Sequence, residues 1–198
     1  ILQNDLSVFL KAMKFSAEKH RNQRRKDVQE SPYINHPIEV ANVLWTIGDV
    51  YDVSTIVAAL LHDTIEDTNA TREEILNNFG KEVLDLVLEV SDDKSLPKQE
   101  RKARQITKAH SLSLKAKQLK LADKICNISD IVNLPPHNWS WQRRVDYLEW
   151  AAAVVAGLRG VNAKLEKYFD ETLAEARKKL APEKDFPTED TVDTGSIP

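Results

Sequence analysis

Residues 59–67 read ALLHDTIED, an apolar run that ends in His62, Asp63, Glu66 and Asp67. On a helix Asp63, Glu66 and Asp67 stand at i, i+3 and i+4, and His62 meets Glu66 by the same spacing, so the side chains converge on one stripe. Three like charges at the edge of an apolar core are costly unless a cation or a shared proton neutralises them. Taken alone, a His-Asp pair where a helix exits the core is more often simply wetted by solvent. Two further positions lift this pair above that reading. His36 sits in YINHP, just before a helix that Pro37 opens, and Asp123 sits in LADK among apolar neighbours. Singly, His36 reads as a capping or core histidine and Asp123 as a partner of Lys120 or Lys124. Together the two imidazoles and two carboxylates form a borderline-to-hard donor set suited to Mn²⁺, Fe²⁺ or Zn²⁺, with coordination positions left for water and substrate.

The elements that must position these residues read as helices. Gly is scarce, at 5 in 198 residues, and apolar residues recur at helical spacing with little period-two alternation, so the expected fold is all-α, a single helical bundle. Helices are expected over about 5–20, 38–48, 53–66, 71–80, 81–93, 98–109, 113–133, 141–159 and 163–180. The segment 53–66 is apolar nearly all round in its first half and belongs at the centre. Thr71 and Glu74 stand at capping-box spacing, and Ser140 and Asn162 are placed to cap the last two helices. Residues 20–37 form a polar loop, and residues 98–109 a highly charged surface helix. One domain over 1–181 is expected, followed by a disordered acidic, Pro-containing tail over 182–198.

Four stretches, YINHP, AALLHDTIEDT, VSDDKSLPKQERK and KLADKICNISDI, in this order and at these separations, resemble the HD-domain guanosine tetraphosphate hydrolases of the RelA/SpoT type, and most of all their small stand-alone metazoan form. The likeness runs from about His20 to Asn162. It implies that His36, His62, Asp63 and Asp123 are metal ligands, loaded with one Mn²⁺ per chain, and that Glu66 and Asp67 are the catalytic acidic pair. The implied reaction is metal-assisted removal of the 3′-pyrophosphate of ppGpp, giving GDP and pyrophosphate; related animal proteins are also credited with removing the 2′-phosphate of NADPH. Arg25, Lys26, Lys98, Asn127, Arg143 and Tyr147 align with family positions that approach the nucleotide, and Tyr33 and Asn35 flank His36. One departure stands out: the family commonly writes Asn-Leu-Arg-Asp-Leu where this chain has NISDI, so Ser129 replaces an arginine.

Composition narrows the partners. Lys+Arg 28 against Asp+Glu 31 gives a formal net charge of -3, which argues against a general binder of nucleic-acid polymers. No apolar stretch reaches the roughly 18 residues of a membrane span. The lone Cys126 excludes an internal disulfide, so a cytoplasmic setting is expected. Two other readings compete: an HD-type nucleotide phosphodiesterase or 5′-nucleotidase using the same ligands, and a metal-free helical scaffold that docks partners through residues 98–109.

Overall fold

The computed structural model describes residues 3–181. Among them every regular element is helical, and the only β pairing is an isolated bridge between Arg24 and Pro32. The helices are α1 (Gln3–Lys19), α2 (Asn35–Thr46), α3 (Val53–Leu61), α4 (Thr64–Asp67), α5 (Arg72–Phe79), α6 (Lys81–Val90), α7 (Lys98–Lys108), α8 (Leu114–Asn133), α9 (Trp141–Ala156) and α10 (Ala163–Lys179). The expected acidic tail from 182 onward lies outside the described residues. No described helix is long and apolar enough to cross a membrane.

The centre is α3, in which Thr55 to Leu61 are all buried. An apolar segment with no polar face can be stable only when surrounded, and α3 packs against α1, α2, α6 and α8. Its start is fixed by Asp52, whose Oδ2 accepts from Thr55 N at 2.9 Å and Thr55 Oγ1 at 2.6 Å, while Lys115 Nζ lies 2.9 Å from Oδ1. Burial pushes the Asp52 carboxyl up, but the Thr55 hydroxyl and Lys115 outweigh it and hold the group below its ordinary value. Its contribution to stability is therefore present above the unfolded carboxylate range and is lost as pH falls through the lower folded value. Asp52→Ala is expected to cost about 1 kcal/mol, the usual loss for an N-cap, read as a lowered Tm near neutral pH that converges with wild type in acid.

The sequence-derived caps at Thr71, Ser140 and Asn162 are present, and Ser113 adds a further one. Thr71 and Glu74 form a reciprocal capping box, Ser113 Oγ accepts from Ala116 N at 3.2 Å, Ser140 Oγ from Arg143 N at 3.2 Å, and Asn162 Oδ1 from Leu165 N at 3.1 Å. Gly80, at φ 86°, ends α5 and starts α6 in one residue, a conformation that a side chain would strain. As expected, α7 is a surface helix, with no buried residue. The apolar run on α9 serves the core: Ala151, Val154 and Val155 are buried there, as is Leu158 just beyond.

Two expectations need correction. Residues 53–66 are not one helix: α3 stops at Leu61 and α4 restarts at Thr64. The cause is local capture of carbonyls, with His62 Nδ1 2.7 Å from Ala59 O and Thr64 Oγ1 donating to Leu61 O at 2.6 Å, while Asp63 sits at φ -97°, ψ -3°. His62, Asp63, Glu66 and Asp67 therefore do not share a stripe of one uninterrupted helix. Secondly, α2 begins at Asn35, ahead of Pro37, so His36 lies inside its first turn and not in the loop. A proline is tolerated there because first-turn N–H groups have no intrahelical partner to lose.

Candidate metal centre and adjoining cavity

Three distant segments meet at one point. His36 comes from the first turn of α2, His62 and Asp63 from the break between α3 and α4, and Asp123 from the middle of α8. Ligand atoms of His36, His62 and Asp123 all lie within 4.8 Å of one another, and all three residues are buried. His36 Nε2 is 3.2 Å from Asp123 Oδ1. Asp63 Oδ2 joins them, 3.1 Å from His62 Nε2 and 3.9 Å from His36 Nε2.

The donor chemistry fits a divalent cation. His62 Nδ1 is committed to Ala59 O, which leaves Nε2 to face the carboxylates, and that buried atom has no hydrogen-bond partner. Fixing one ring nitrogen on a carbonyl so that the other presents its lone pair is the usual arrangement of a ligating histidine. Electrostatics point the same way. Burial alone would push the His62 imidazole down, yet Asp63 and Asp123 overcome it and carry it up to about 10. Burial would likewise raise both carboxyls, but His62 holds Asp63, and Lys124 with the two histidines holds Asp123, well below the carboxylate range. The cluster thus demands positive charge, which a divalent ion can supply in place of protons. Asp123 also has the lysine partner that sequence allowed for: Lys124 Nζ is 3.1 Å from its Oδ2, buried against the Trp150 ring at 4.5 Å.

Beside the cluster opens a cavity of about 430 Å³, a volume suited to a small ligand. Glu66 and Asp67, on α4, form one wall, and Arg25, Lys26, Asn127 and Tyr147 also line it. Asn127 Nδ2 donates to Asp123 Oδ1 at 2.6 Å, tying this wall to the cluster. Lys98 and Arg143 do not line the cavity. Both are exposed, and partial burial, then the nearby cations Arg143, Lys102, Lys26 and Arg101, push the Lys98 ammonium down. Arg143 lies over the ring of Trp139, a cavity residue, with its guanidinium carbon 4.2 Å from the ring centre. Asn35 is exposed, and no described contact ties it to the cavity. Ser129 does not line the cavity either; its hydroxyl accepts from Asn133 Nδ2 at 3.1 Å.

Several residues at the site were not singled out from the sequence. Lys94 forms an ion pair with Asp67 and lies 3.7 Å from Glu66 Oε1, while Arg101 NH1 lies 3.8 Å from the same oxygen. Asp92 N donates to Glu66 Oε2 at 2.9 Å. Burial, joined by Asp63, Asp92 and Asp67, raises the Glu66 carboxyl above its ordinary value despite that bond. Arg25 is held in an ion pair with Asp130. Lys94 and Arg101 fall within the quoted stretch VSDDKSLPKQERK and Asp130 within KLADKICNISDI, so the signal was present but undivided; nothing local says that Asp130 pairs with Arg25, 105 residues away.

The HD domain family matches residues 12–148. The protein named guanosine-3′,5′-bis(diphosphate) 3′-pyrophosphohydrolase MESH1 from Xenopus tropicalis is 50% identical over 169 residues, covering 85% of this chain and 94% of its own. The human protein of the same name is 49% identical over 164 residues, covering 83% of this chain and 92% of its own. A solved structure described as a metazoan orthologue of SpoT that hydrolyses ppGpp superposes with a TM-score of 0.83 at 47% identity, over 85% of this chain and 94% of that one. With the helical bundle, the clustered histidines and aspartates and these likenesses together, the chain belongs to the HD domain family and, within it, to the group of the MESH1 guanosine-3′,5′-bis(diphosphate) 3′-pyrophosphohydrolases.

Proposed function

We propose that this chain hydrolyses the 3′-pyrophosphate of ppGpp, giving GDP and pyrophosphate, at one divalent centre held by His36, His62, Asp63 and Asp123, with Mn²⁺ as the resident ion. The observation that carries this reading is the convergence of His36, His62 and Asp123 within 4.8 Å, beside a cavity whose walls hold Arg25, Lys26, Glu66 and Asp67. The activity named for the MESH1 relatives supports it. A bound divalent ion supplies Lewis acidity toward a phosphoryl oxygen and lowers the pKa of a bound water.

The chain's own residues divide the remaining work. Glu66 is the general base: burial disfavours its charge, which brings a carboxylate closer to the basicity that proton abstraction needs, and Asp92 N fixes its orientation. Asp67, neutralised by Lys94, orients the attacking water. Arg25, stacked toward Tyr33 and paired with Asp130, together with Lys26, takes the anionic nucleotide, while Lys98 and Arg143 draw it to the opening. Asn127 and Tyr147 complete the wall on which the nucleoside rests.

Turnover of ppGpp measured with metal content on the same sample tests the reading; a Mn²⁺-loaded protein that releases no pyrophosphate would overturn it. NADPH, which carries a phosphate on a ribose hydroxyl, is proposed as a second substrate and is assayed in parallel, with cyclic nucleotides and dNMPs reporting the phosphodiesterase and nucleotidase alternatives. Arg25→Ala is expected to raise KM for ppGpp about tenfold or more with a smaller change in kcat, as loss of a charge-assisted contact of about 1.5–3 kcal/mol should. An unchanged KM would remove Arg25 from the binding wall.

A further inference from the structure

His20, Gln23 and Tyr33, in the loop after α1, lie beside the cluster, and two of them reach carboxylates, Tyr33 that of Asp63 and Gln23 that of Asp67. Tyr33 Oη donates to Asp63 Oδ2 at 2.6 Å. Burial, reinforced by Asp63, holds the phenol well above its ordinary value, so it stays a donor. His20 is 2% exposed, stacks on Tyr33 with ring centres 4.9 Å apart, and has Nδ1 2.7 Å from Gln23 Oε1. A carboxamide oxygen only accepts, so Nδ1 carries the proton. That bond turns the other end of the amide outward, where Gln23 Nε2 donates to Asp67 Oδ2 at 3.4 Å. His20 Nε2 is buried and unpartnered, which is tolerable for a neutral ring, and burial lowers the imidazole's proton affinity accordingly.

We infer that Tyr33 and the His20–Gln23 pair are positioning residues that divide the two carboxylates between them: Tyr33 fixes Asp63 for the metal, and Gln23, aimed by His20, fixes Asp67 for the water. The inference rests on the roles proposed above for Asp63 and Asp67. A carboxylate with two oxygens and a rotatable bond has several ways to face a cluster, and a short donor on one oxygen selects one of them. Asp63 Oδ2, the oxygen that Tyr33 Oη meets, is also the one 3.1 Å from His62 Nε2, so Tyr33 holds the atom that faces the cluster. Asp67 is otherwise gripped only by Lys94, a half-exposed lysine on a loop. Gln23 gives it a second contact, longer than the ion pair, from a residue anchored on a buried ring.

The two arms make separable predictions. Tyr33→Phe keeps the ring stack and removes the donor; it is expected to weaken Mn²⁺ binding about tenfold or more in a direct titration without substrate, the range seen when a partner of a metal ligand is lost. Gln23→Met and His20→Phe are expected to leave Mn²⁺ affinity and KM near wild type and to lower kcat about tenfold. The double variant His20→Phe/Gln23→Met should be no slower than either single variant, because both remove the same contact. A role confined to packing would instead lower Tm and leave Mn²⁺ affinity in Tyr33→Phe untouched, and additive losses in the double variant would break the His20–Gln23 arm. If His20→Phe does not fold, Gln23→Met decides that arm by its kcat against its KM. Wild-type protein that binds Mn²⁺ but spares ppGpp would sink the proposed function, while the titration of Tyr33→Phe still decides the Tyr33 arm.

Discussion

His62→Ala and Asp63→Ala proteins are expected to purify with little or no metal and to hydrolyse no measurable ppGpp. Each removes one donor of a buried set, and loss of a partner outside the ligands already costs 10–100-fold in affinity in comparable sites, so loss of a ligand costs more, at least about a hundredfold. The effect has a second readout. Metal that binds only the folded state stabilises it by about 2.7 kcal/mol at a free concentration a hundred times Kd, so adding Mn²⁺ should raise the Tm of the wild type and adding a chelator should reverse the gain. Neither variant should respond. Asp63→Ala is the cleaner of the two, since the Asp63 side chain is partly exposed while the His62 ring is buried and also bonds Ala59 O. A variant that kept both its metal and its Mn²⁺-dependent Tm would remove that residue from the centre.

Glu66→Gln is expected to behave in the opposite sense: metal content and Tm response kept, turnover reduced by about 10²–10⁴-fold, the range for loss of a positioned general base. Glutamine fills the same space and its carboxamide oxygen can still accept from Asp92 N, so the wall is preserved while the ability to take a proton is lost. Asp67→Asn should be milder, because its proposed task is orientation. Loss of metal from Glu66→Gln equal to that from Asp63→Ala would make Glu66 a ligand and move the base elsewhere. The contrast between the two experiments thus separates holding the ion from moving the proton, which crowding four ionisable residues into 62–67 leaves undivided in the sequence.

The sequence carried the helical class, the caps at Thr71, Ser140 and Asn162, and the pairing of His36 with Asp123 across 87 residues. Each of these follows from residue type at fixed spacing or from a pattern spread over most of the chain. The break at His62–Asp63 was not legible, because apolar periodicity reports which faces are buried and is silent about side chains that seize backbone carbonyls. Nor was it legible that Lys94 and Arg101 reach Glu66 while Lys98, from the same charged stretch, does not line the cavity. A lysine or arginine has too many rotamers for spacing alone to say where its charge ends up. The pairing of Asp130 with Arg25 was hidden for another reason: it depends on how α8 lies against a loop, and only packing fixes that.

That the donors sit on α2, at the α3–α4 break and on α8 has a consequence for how the molecule can be divided. No excised peptide from this chain can be a miniature of the enzyme, because any cut between residues 36 and 123 parts donors that only the assembled bundle brings face to face. Split halves should regain the ion, if at all, only on reassociation, which makes metal uptake a gauge of whether complementary fragments have docked in native register.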